Sequence, residues 1–524
     1  MSKRTKKAAI ILMTIILISK ITGFLRDIVL AQSFGASDVT DAYLTALNIP
    51  VVLFNGISAA LGTTFIPMFF KIKETHGNEG INDFTNNILN ISVVVSIIFT
   101  VFGIVFAPYI VKIFAIGFDG QVLNITVEYL KILLFSMIFI AANGLISSYL
   151  VASGNIYISG LISIPFNIFV IVAIILGSIT NSYVMVIGTL IAYIAQFLFQ
   201  LPFLVKNGYK YKLKINLKDE NMKQILYLVI PVFFGSYVTQ INVVLNRTLA
   251  STLEKGSITA LNYANKLSLF AVGVIVIALS TVMYPILSKL VSENNMERFK
   301  ISLSKSINSI IILMVPIMVI IMFFSTPIVK ILFEEGSFDT NATYLTSTAL
   351  FYYSIGIVAY GLREILAKGF YSLQDTKTPV KNATISVGIN IIFSITLVKK
   401  MGIGGLALAS SISAILTTIL LFISLRKKIG KLGFKNIFIT FIKVSIASII
   451  MGIVMKYIYN SILKYEMAFI WESRKFITIN SIISVVLGIL IYIVLIIIFN
   501  IKEVREVIYI ILNKIKNINK KYRQ

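Results

Sequence analysis

Long apolar stretches separated by short polar loops run through the 524-residue chain. An α-helix needs about 20 apolar residues to cross a hydrocarbon core of about 30 Å, and fourteen stretches reach or approach that length. They lie near residues 8–31, 40–68, 88–115, 124–151, 157–178, 181–205, 223–250, 257–288, 303–332, 341–371, 379–398, 402–425, 435–459 and 475–500. The pattern predicts an all-α polytopic membrane protein with about 14 transmembrane helices.

Basic residues collect at the N-terminus and in alternate loops. Cytoplasmic loops carry the excess of Lys and Arg, so the first residues, MSKRTKK, are predicted to lie in the cytoplasm. The loops then predicted inside are Lys71–Asp83, Lys206–Lys223, Lys289–Lys305, Ser372–Lys381 and Arg426–Lys435. The even number of spans also places the C-terminus inside. The abundance of Ile, Asn and Lys is typical of an AT-rich genome, and we expect a multi-pass protein of the bacterial plasma (inner) membrane.

A basic loop near the middle divides the chain into two similar halves. Residues 59–67, AALGTTFIP, resemble residues 277–285, IALSTVMYP, and repeated helix bundles are a transporter architecture. The predicted segments are an N-lobe at 1–205 with spans 1–6, a basic cytoplasmic linker at 206–222, a C-lobe at 223–426 with spans 7–12, two further spans at 427–500, and a basic amphipathic tail at 501–524. We expect the tail to lie on the inner membrane face.

The composition of the chain excludes several classes of function. The net charge of +25 belongs to loops and termini, and no nucleic-acid-binding motif accompanies it, so we expect no nucleic acid partner. The chain has no Cys, one His and no G-x-x-x-x-G-K-[ST] sequence, which excludes thiol chemistry, triads built on Cys or His, and Walker-A hydrolysis of ATP. We expect a transporter rather than an enzyme, with no metal and no cofactor, driven by the membrane potential or a coupled monovalent cation.

Charged residues inside the apolar stretches are the candidate chemistry. A charge at the bilayer centre costs about 2.5–3.5 kcal/mol even on insertion scales, so such residues face one another or a wet cavity. The cations are Lys20, Arg26, Arg247, Lys266, Arg363 and Lys368, and the anions are Asp27, Asp41 and Glu364. The cationic surplus predicts a basic cavity for an anionic group such as phosphate. Snorkelling is the alternative for Arg247 and Lys368, and structural pairing is the alternative for Arg363 and Glu364.

Several motifs resemble the MurJ/MviN family of lipid II flippases. Near the start they are SKITGFLRD at 19–27, FGA at 34–36 and TDAY at 40–43. Later they are QIN at 240–242, YANKL at 263–267, ALST at 278–281 and, most specific, GFYSLQDTKTPVK at 369–381. The matches cover most of residues 15–430. The family belongs to the multidrug/oligosaccharidyl-lipid/polysaccharide exporter superfamily, which implies fourteen helices in two lobes.

The resemblance implies a flippase that moves lipid II, an undecaprenyl-pyrophosphate-linked muropeptide, from the inner to the outer leaflet by alternating access. Arg26 and Asp41 match family functional positions, whereas Lys20 and Lys266 stand where relatives carry Arg. The predicted substrate-binding residues are Lys20, Arg26, Asp27, Asp41, Lys266, Arg247 and Arg363. We expect Asp27 and Asp41 to pair with Lys20, Arg26 and Lys266 when the site is empty. The expected partners are lipid II, membrane lipids and the cell-wall synthesis machinery.

The resemblance is incomplete in span 2. Well-known members carry an Arg-Arg pair and a Glu between the equivalents of Pro50 and Pro67, where this chain reads VVLFNGISAALGTTFI. One alternative is therefore a flippase for another undecaprenyl-linked oligosaccharide, such as an exopolysaccharide unit. A cation-coupled drug exporter is a second alternative, although a basic cavity does not suit organic cations. A scaffold without transport would leave the buried ions unexplained.

Overall fold

The computed structural model describes residues 3–464, 473–506 and Tyr509, and this part of the chain is helical without any strand. The helices are α1 (Lys3–Phe34), α2 (Asp38–Val105), α3 (Ala107–Phe114), α4 (Gly120–Leu133), α5 (Ser136–Ala152), α6 (Ile156–Leu161), α7 (Ser163–Ile179), α8 (Ser182–Lys206), α9 (Glu220–Ala250), α10 (Ser257–Ser292), α11 (Met296–Phe333), α12 (Thr340–Ser354), α13 (Ile357–Ser372), α14 (Lys377–Ile429), α15 (Phe434–Leu463) and α16 (Ser473–Ile498). Most of the tail predicted to be amphipathic lies outside the described residues.

Two of these helices, α2 and α14, are hairpins. The 68 residues of α2 would extend about 100 Å as one straight helix, about three times the thickness of a hydrocarbon core. Gly77 interrupts α2 with φ 64° and ψ −159°, and Gly402 interrupts α14 with φ 54° and ψ −131°. Glycine adopts such a backbone without a Cβ clash. Phe65 stacks on Phe84 across the first hairpin, with 5.8 Å between ring centroids, so each arm of α2 is a separate span.

The helices account for every predicted span. By length and composition, seven helices of the described chain can cross a membrane, or nine if each bent pair counts as one span. The bent pairs are α4 with α5, at 44°, and α12 with α13, at 46°. Both hairpins are among the seven and contribute two spans each, and the hydroxyls of Ser386 and Ser413 meet at 2.6 Å between the arms of α14. Helices α1, α9 and α10 add 32, 31 and 36 residues, and the predicted all-α membrane fold is confirmed.

The helices cluster into two compact units. Unit 1 comprises Met1–Asn262 with Phe333–Ala342, and unit 2 comprises Tyr263–Leu332 with Thr343–Gln524. In unit 1 the aromatic core lies where α2 packs on α5, as Phe69 meets Tyr149 edge-on at 5.4 Å. In unit 2 the Thr418 hydroxyl of α14 donates to the Ala359 carbonyl of α13 at 3.0 Å. The predicted lobe boundaries remain a prediction.

The basic segment between α8 and α9 is held against α2 by asparagines. Four asparagines within two turns of α2 donate side-chain N–H groups to the carbonyls of this segment. The bonds run from Asn82 to Gly208 at 3.1 Å, from Asn86 to Lys210 at 2.9 Å, from Asn87 to Asn216 at 2.9 Å, and from Asn90 to both Lys212 and Lys214 at 3.1 Å. We call this set the asparagine ladder. The segment predicted to be a linker is therefore held in a defined position on α2.

The segment has no regular secondary structure, so the ladder supplies hydrogen bonds that its backbone carbonyls would otherwise receive from a helix or a sheet. A buried carbonyl without a donor costs about 1–3 kcal/mol, and the ladder supplies donors to alternate residues. Tyr209 and Tyr211 reciprocate by donating their hydroxyls to the Asn86 and Asn90 side-chain oxygens. Burial raises the pKa of Tyr209 above its ordinary value, so its phenol remains a hydrogen-bond donor.

The motif GFYSLQDTKTPVK at 369–381 builds the turn that leads into α14. The Asp375 carboxylate accepts from the Thr378 backbone N–H at 3.0 Å and from the Thr378 hydroxyl at 2.8 Å. Lys428, near the other end of the hairpin, donates to the same carboxylate at 2.6 Å. The hydrogen bonds from Lys428 and from Thr378 lower the pKa of Asp375 to about 2, so the carboxylate is ionised at neutral pH. The motif thus ties the two ends of α14 together.

Asn90→Leu should release the segment between α8 and α9. The substitution keeps the side-chain volume but removes the donor to two carbonyls, so trypsin should cleave at Lys212 and Lys214 several-fold faster in the detergent-solubilised protein. Asn78→Leu is the matched control, because Asn78 is exposed on the same helix and belongs to no rung of the ladder. Equal cleavage rates in Asn90→Leu and wild type would contradict the role of the ladder.

Candidate functional site

Arg26 on α1 is fixed on two sides. Its Nη2 and Nε donate to Asp27 Oδ1 at 3.0 and 3.3 Å, and its Nη1 donates to Asn167 Oδ1 on α7 at 3.1 Å. Asn167 Nδ2 in turn donates to the Thr22 hydroxyl at 3.1 Å, and the guanidinium lies 5.9 Å from the Phe166 ring centroid. The Arg26 side chain is nevertheless 21% exposed. Its charge is therefore fixed in direction, and the side chain as a whole is not fully enclosed.

A cavity of about 440 Å³, lined by both polar and apolar side chains, lies next to this cation within unit 1. Phe166, under the Arg26 guanidinium, is part of the wall. The polar lining residues are Ser58, Asn143, Ser147, Ser163, Tyr193 and Gln196. Asn143 donates to Gln196 at 3.1 Å and accepts from Gln200 at 2.8 Å, so the amides form a connected network. The cavity wall offers hydrogen bonds, and the adjacent cation offers charge, a combination that suits a polar anionic head group.

Asp41, in the first turn of α2, faces the start of α10. Its Oδ2 accepts from the Gly256 N–H at 3.0 Å, and its Oδ1 accepts from the Thr259 N–H at 2.8 Å and from the Thr259 hydroxyl. A carboxylate is stabilised at a helix N-terminus, where free N–H groups and the helix dipole meet it. Asp41 is only 4% exposed. The expected ion pair between Asp41 and Lys20 or Arg26 is therefore corrected, because both carboxylate oxygens are used at this turn.

Close backbone contacts surround Asp41. A Cβ on Gly256, whose φ is +82°, would lie 2.5 Å from the Ala36 carbonyl oxygen. A Cβ on Gly35, whose φ is +67°, would lie 2.2 Å from the Ser337 carbonyl oxygen, and the Ser337 N–H donates to the Gln32 carbonyl at 2.9 Å. Only glycine permits these approaches. The turn between α1 and α2 is thus enclosed by the turns before α10 and α12, at the end of unit 1 predicted to lie outside.

The other two cations of unit 1 have different surroundings. Arg247 on α9 donates from Nη1 to the Leu44 carbonyl of α2 at 2.6 Å, so it joins two helices beside Asp41. Lys20 is half-buried and forms no ion pair in the described part of unit 1. Asp27 lies seven residues further along α1, about 10 Å along the axis, and is paired with Arg26 instead.

Unit 2 contains the remaining predicted site residues. Lys266 is half-buried on α10. The Arg363 guanidinium on α13 lies 5.3 Å from the centroid of the Tyr360 ring, and Lys368 lies 5.5 Å from the Tyr284 ring. These are cation–π distances, which stabilise a cation without neutralising its charge. The substrate roles of Lys266 and Arg363 remain predictions.

Three buried amide side chains lie at or near the Arg26 site in unit 1. They were not predicted from the sequence, because only charged residues were considered there. Asn167, Asn143 and Gln200 are 4%, 5% and 0% exposed. Each stands among apolar residues, as in the sequence SIPFNIFVIV around Asn167. An amide without a partner in such a place costs free energy, so its presence signals a partner. That signal was available in the sequence, although the identity of the partner was not.

The family profile described as lipid II flippase MurJ matches residues 30–476. The chain belongs to the MurJ family. It is 33% identical over 446 residues to the probable lipid II flippase MurJ of Buchnera aphidicola subsp. Schizaphis graminum, covering 83% of this chain and 86% of that protein. It is 31% identical over 445 residues to the probable lipid II flippase MurJ of Vibrio cholerae, covering 80% and 83%.

Solved structures agree with the MurJ assignment. A structure described as lipid II flippase MurJ in an inward closed conformation has a TM-score of 0.79 at 27% identity, covering 95% of this chain and all of that one. An inward-facing MATE family multidrug transporter of the MOP superfamily has a TM-score of 0.70 at 15% identity, covering 81% and 98%. The second likeness concerns the fold alone. The predicted family and the superfamily fold are both confirmed.

In this MurJ-family chain, Asp41→Ala should destabilise unit 1. The substitution leaves two N–H groups without their acceptor, and each buried unsatisfied group costs about 1–3 kcal/mol, which thermal unfolding in detergent would detect. Asp38→Ala is the matched control from the same helical turn. Asp38 pairs with Lys255 at 2.9 Å on the surface, where an ion pair contributes about 0–1 kcal/mol. Equal losses in the two variants would contradict the assigned role of Asp41.

Proposed function

We propose that the protein is a flippase that moves lipid II from the inner to the outer leaflet of the bacterial plasma membrane by alternating access. The family membership makes it a transporter rather than an enzyme. The observation that carries the assignment to residues is Arg26, a fixed and partly exposed cation beside a partly polar cavity.

The Arg26 guanidinium is suited to a pyrophosphate. A guanidinium presents N–H groups in a planar fork that matches phosphate oxygens, and Asp27 and Asn167 hold this fork in one orientation. The arriving phosphate accepts from the guanidinium N–H groups that Asp27 and Asn167 leave free. The amides and hydroxyls of the cavity then bind the sugar and peptide groups of the head group.

Lys20 acts earlier on the same helix. If α1 starts in the cytoplasm, Lys20 lies about 9 Å closer to the cytoplasm than Arg26. Its ammonium has no ion-pair partner in the described part of unit 1, so it attracts the anionic head group without first breaking a bond. The head group therefore meets the flexible ammonium of Lys20 first and the fixed guanidinium of Arg26 second.

The enclosed turn around Asp41 is the barrier at the outer end. Release to the outer leaflet requires the carboxylate to leave Gly256 and Thr259 and the glycine contacts to part. We propose that Asp41 acts as a latch rather than as a phosphate ligand. Arg247, which binds the carbonyl of Leu44 one turn further along α2, moves with the same latch.

The membrane potential is the proposed drive. An anionic head group that moves outward across a potential negative inside releases about 2.3 kcal/mol per charge per 100 mV. A coupled monovalent cation is the alternative drive, and no cofactor is required in either case. Basic loops at alternate ends support cytoplasmic termini, and the cell-wall synthesis machinery is the proposed consumer of the product.

A second candidate function is the transport of another undecaprenyl-linked oligosaccharide. It is favoured by the uncharged sequence between Pro50 and Pro67, where well-known relatives carry three charges. Both candidates share a pyrophosphate, so both use Arg26, and they differ in the glycan that the cavity accepts.

Arg26→Ala should abolish complementation in cells depleted of their own lipid II flippase, at normal membrane levels of the protein. Arg26→Lys should restore it only partly, because Lys keeps the charge but lacks the fork. Arg298→Ala is the matched control, since Arg298 is exposed at the start of α11 and should complement fully. Full complementation by Arg26→Ala would overturn the assignment of Arg26.

The substrate is decided by a second measurement in the same strain. Wild-type protein should restore labelling of lipid II in the outer leaflet when the host flippase is switched off. Restoration of an exopolysaccharide unit in a strain that lacks its exporter, without restoration of lipid II, would instead establish the second candidate.

A further inference from the structure

The segment between α8 and α9 alternates apolar and basic residues. Residues 210–218 read KYKLKINLK. The apolar members are strongly exposed, at 60% for Tyr211, 80% for Leu213, 54% for Ile215 and 59% for Leu217. A chain in which alternate residues share a face is extended, and the ladder bonds to the carbonyls of the even-numbered residues 208–216 have the same period. One side of the segment is therefore tied to α2, and a row of apolar side chains is left uncovered.

The ladder also fixes how deep the segment reaches. Along the segment the bonds climb α2 from Asn82 to Asn90 and then return to Asn87, so the apex is at 212–214. Asn90 lies one turn before Val94, where the exposed apolar surface of the second arm of α2 begins. Leu213, the most exposed apolar residue of the segment, thus lies beside the first turn of the surface that meets lipid.

The backbone of the apex is compatible with that depth. A chain at the membrane boundary must satisfy its carbonyls within the protein, because lipid offers no donor. Asn90 donates to both carbonyls that flank Leu213. The ladder thereby allows a non-helical segment to enter a region where water is scarce.

The charges of the segment identify its partner. Lys212 pairs with Glu79 at 3.5 Å and Lys214 pairs with Asp83 at 2.7 Å. Lys210 and Lys218 are exposed at the two ends of the row and form no ion pair in the described chain. Apolar side chains between cationic ones match the boundary between acyl chains and anionic head groups.

We propose that residues 210–218 form a membrane-dipping strap, in which Leu213 and Ile215 enter the inner leaflet and Lys210 and Lys218 bind anionic phospholipid head groups. The side of the membrane rests on the orientation given with the proposed function. Whether the strap enters a leaflet at all does not depend on transport.

The test places a single tryptophan at the apex of the full-length protein. Trp471 is the chain's one tryptophan, so Leu213→Trp with Trp471→Phe gives a single reporter. In vesicles of phosphatidylglycerol and phosphatidylcholine, we expect emission at shorter wavelength and loss of intensity when the lipids carry bromine on the upper acyl chain. His76→Trp in the same background is the control, because His76 lies at the exposed bend of α2, about 25 Å along the helix from Val94.

The binding of Lys210 and Lys218 to anionic head groups is tested separately. Lys210→Ser with Lys218→Ser should reduce quenching of the Leu213→Trp reporter by brominated phosphatidylglycerol to the level seen in phosphatidylcholine alone. If the Leu213→Trp reporter with both lysines intact is quenched equally in vesicles with and without phosphatidylglycerol, the head-group assignment is wrong. Emission from Leu213→Trp that matches the water-exposed control would overturn the strap itself and leave the apolar row to a protein partner. Neither readout measures lipid II movement, so a failed complementation assay leaves this result intact.

Discussion

Inside a membrane each polar group must find its partner within the protein, and this constraint organises the functional part of the chain. Three groups satisfy it in different ways. Arg26 takes an adjacent carboxylate and a distant amide, Asp41 takes the N–H groups of another helix, and the ladder matches amides to carbonyls. In each case at least one partner lies far along the chain. These polar contacts join α1 to α7 and the start of α2 to the start of α10, beside the aromatic packing of α2 on α5.

The sequence allowed the fold to be predicted well because the bilayer imposes a simple rule of length. Each of the fourteen apolar stretches is helical. The two merged helices reverse at Gly77, between two predicted spans, and at Gly402, the first residue of a predicted span. The bends within α4–α5 and α12–α13 were not predicted. They depend on packing between neighbouring helices, and hydropathy along the chain contains no information about neighbours.

The site was predicted less completely, for a related reason. Buried charges led directly to Arg26 and Asp41, because a charge is costly wherever it lies. Their partners could not be deduced. Lys20 and Asp27 are seven residues apart and so share a face of α1, yet Asp27 pairs with the adjacent Arg26. The partners of Asp41 lie 218 residues away, and Asn167 carries no charge to mark it. Sequence shows which groups need a partner, and the fold decides which partner they receive.

The pairing of Arg26 with Asp27 bears on how a flippase can bind its cargo and still release it. A buried cation without a counter-ion would hold a pyrophosphate tightly, since departure of the cargo would strand the charge. Here Asp27 stays paired with Arg26 at 3.0 Å, so departure of a phosphate leaves the cation with its counter-ion. The Asp27 carboxylate also weakens the binding of the phosphate, because the two anions share one cation. The uncharged stretch of span 2 between Pro50 and Pro67 adds no cation that would oppose release. An internal counter-ion of this kind favours turnover over affinity, which is the balance that transport requires.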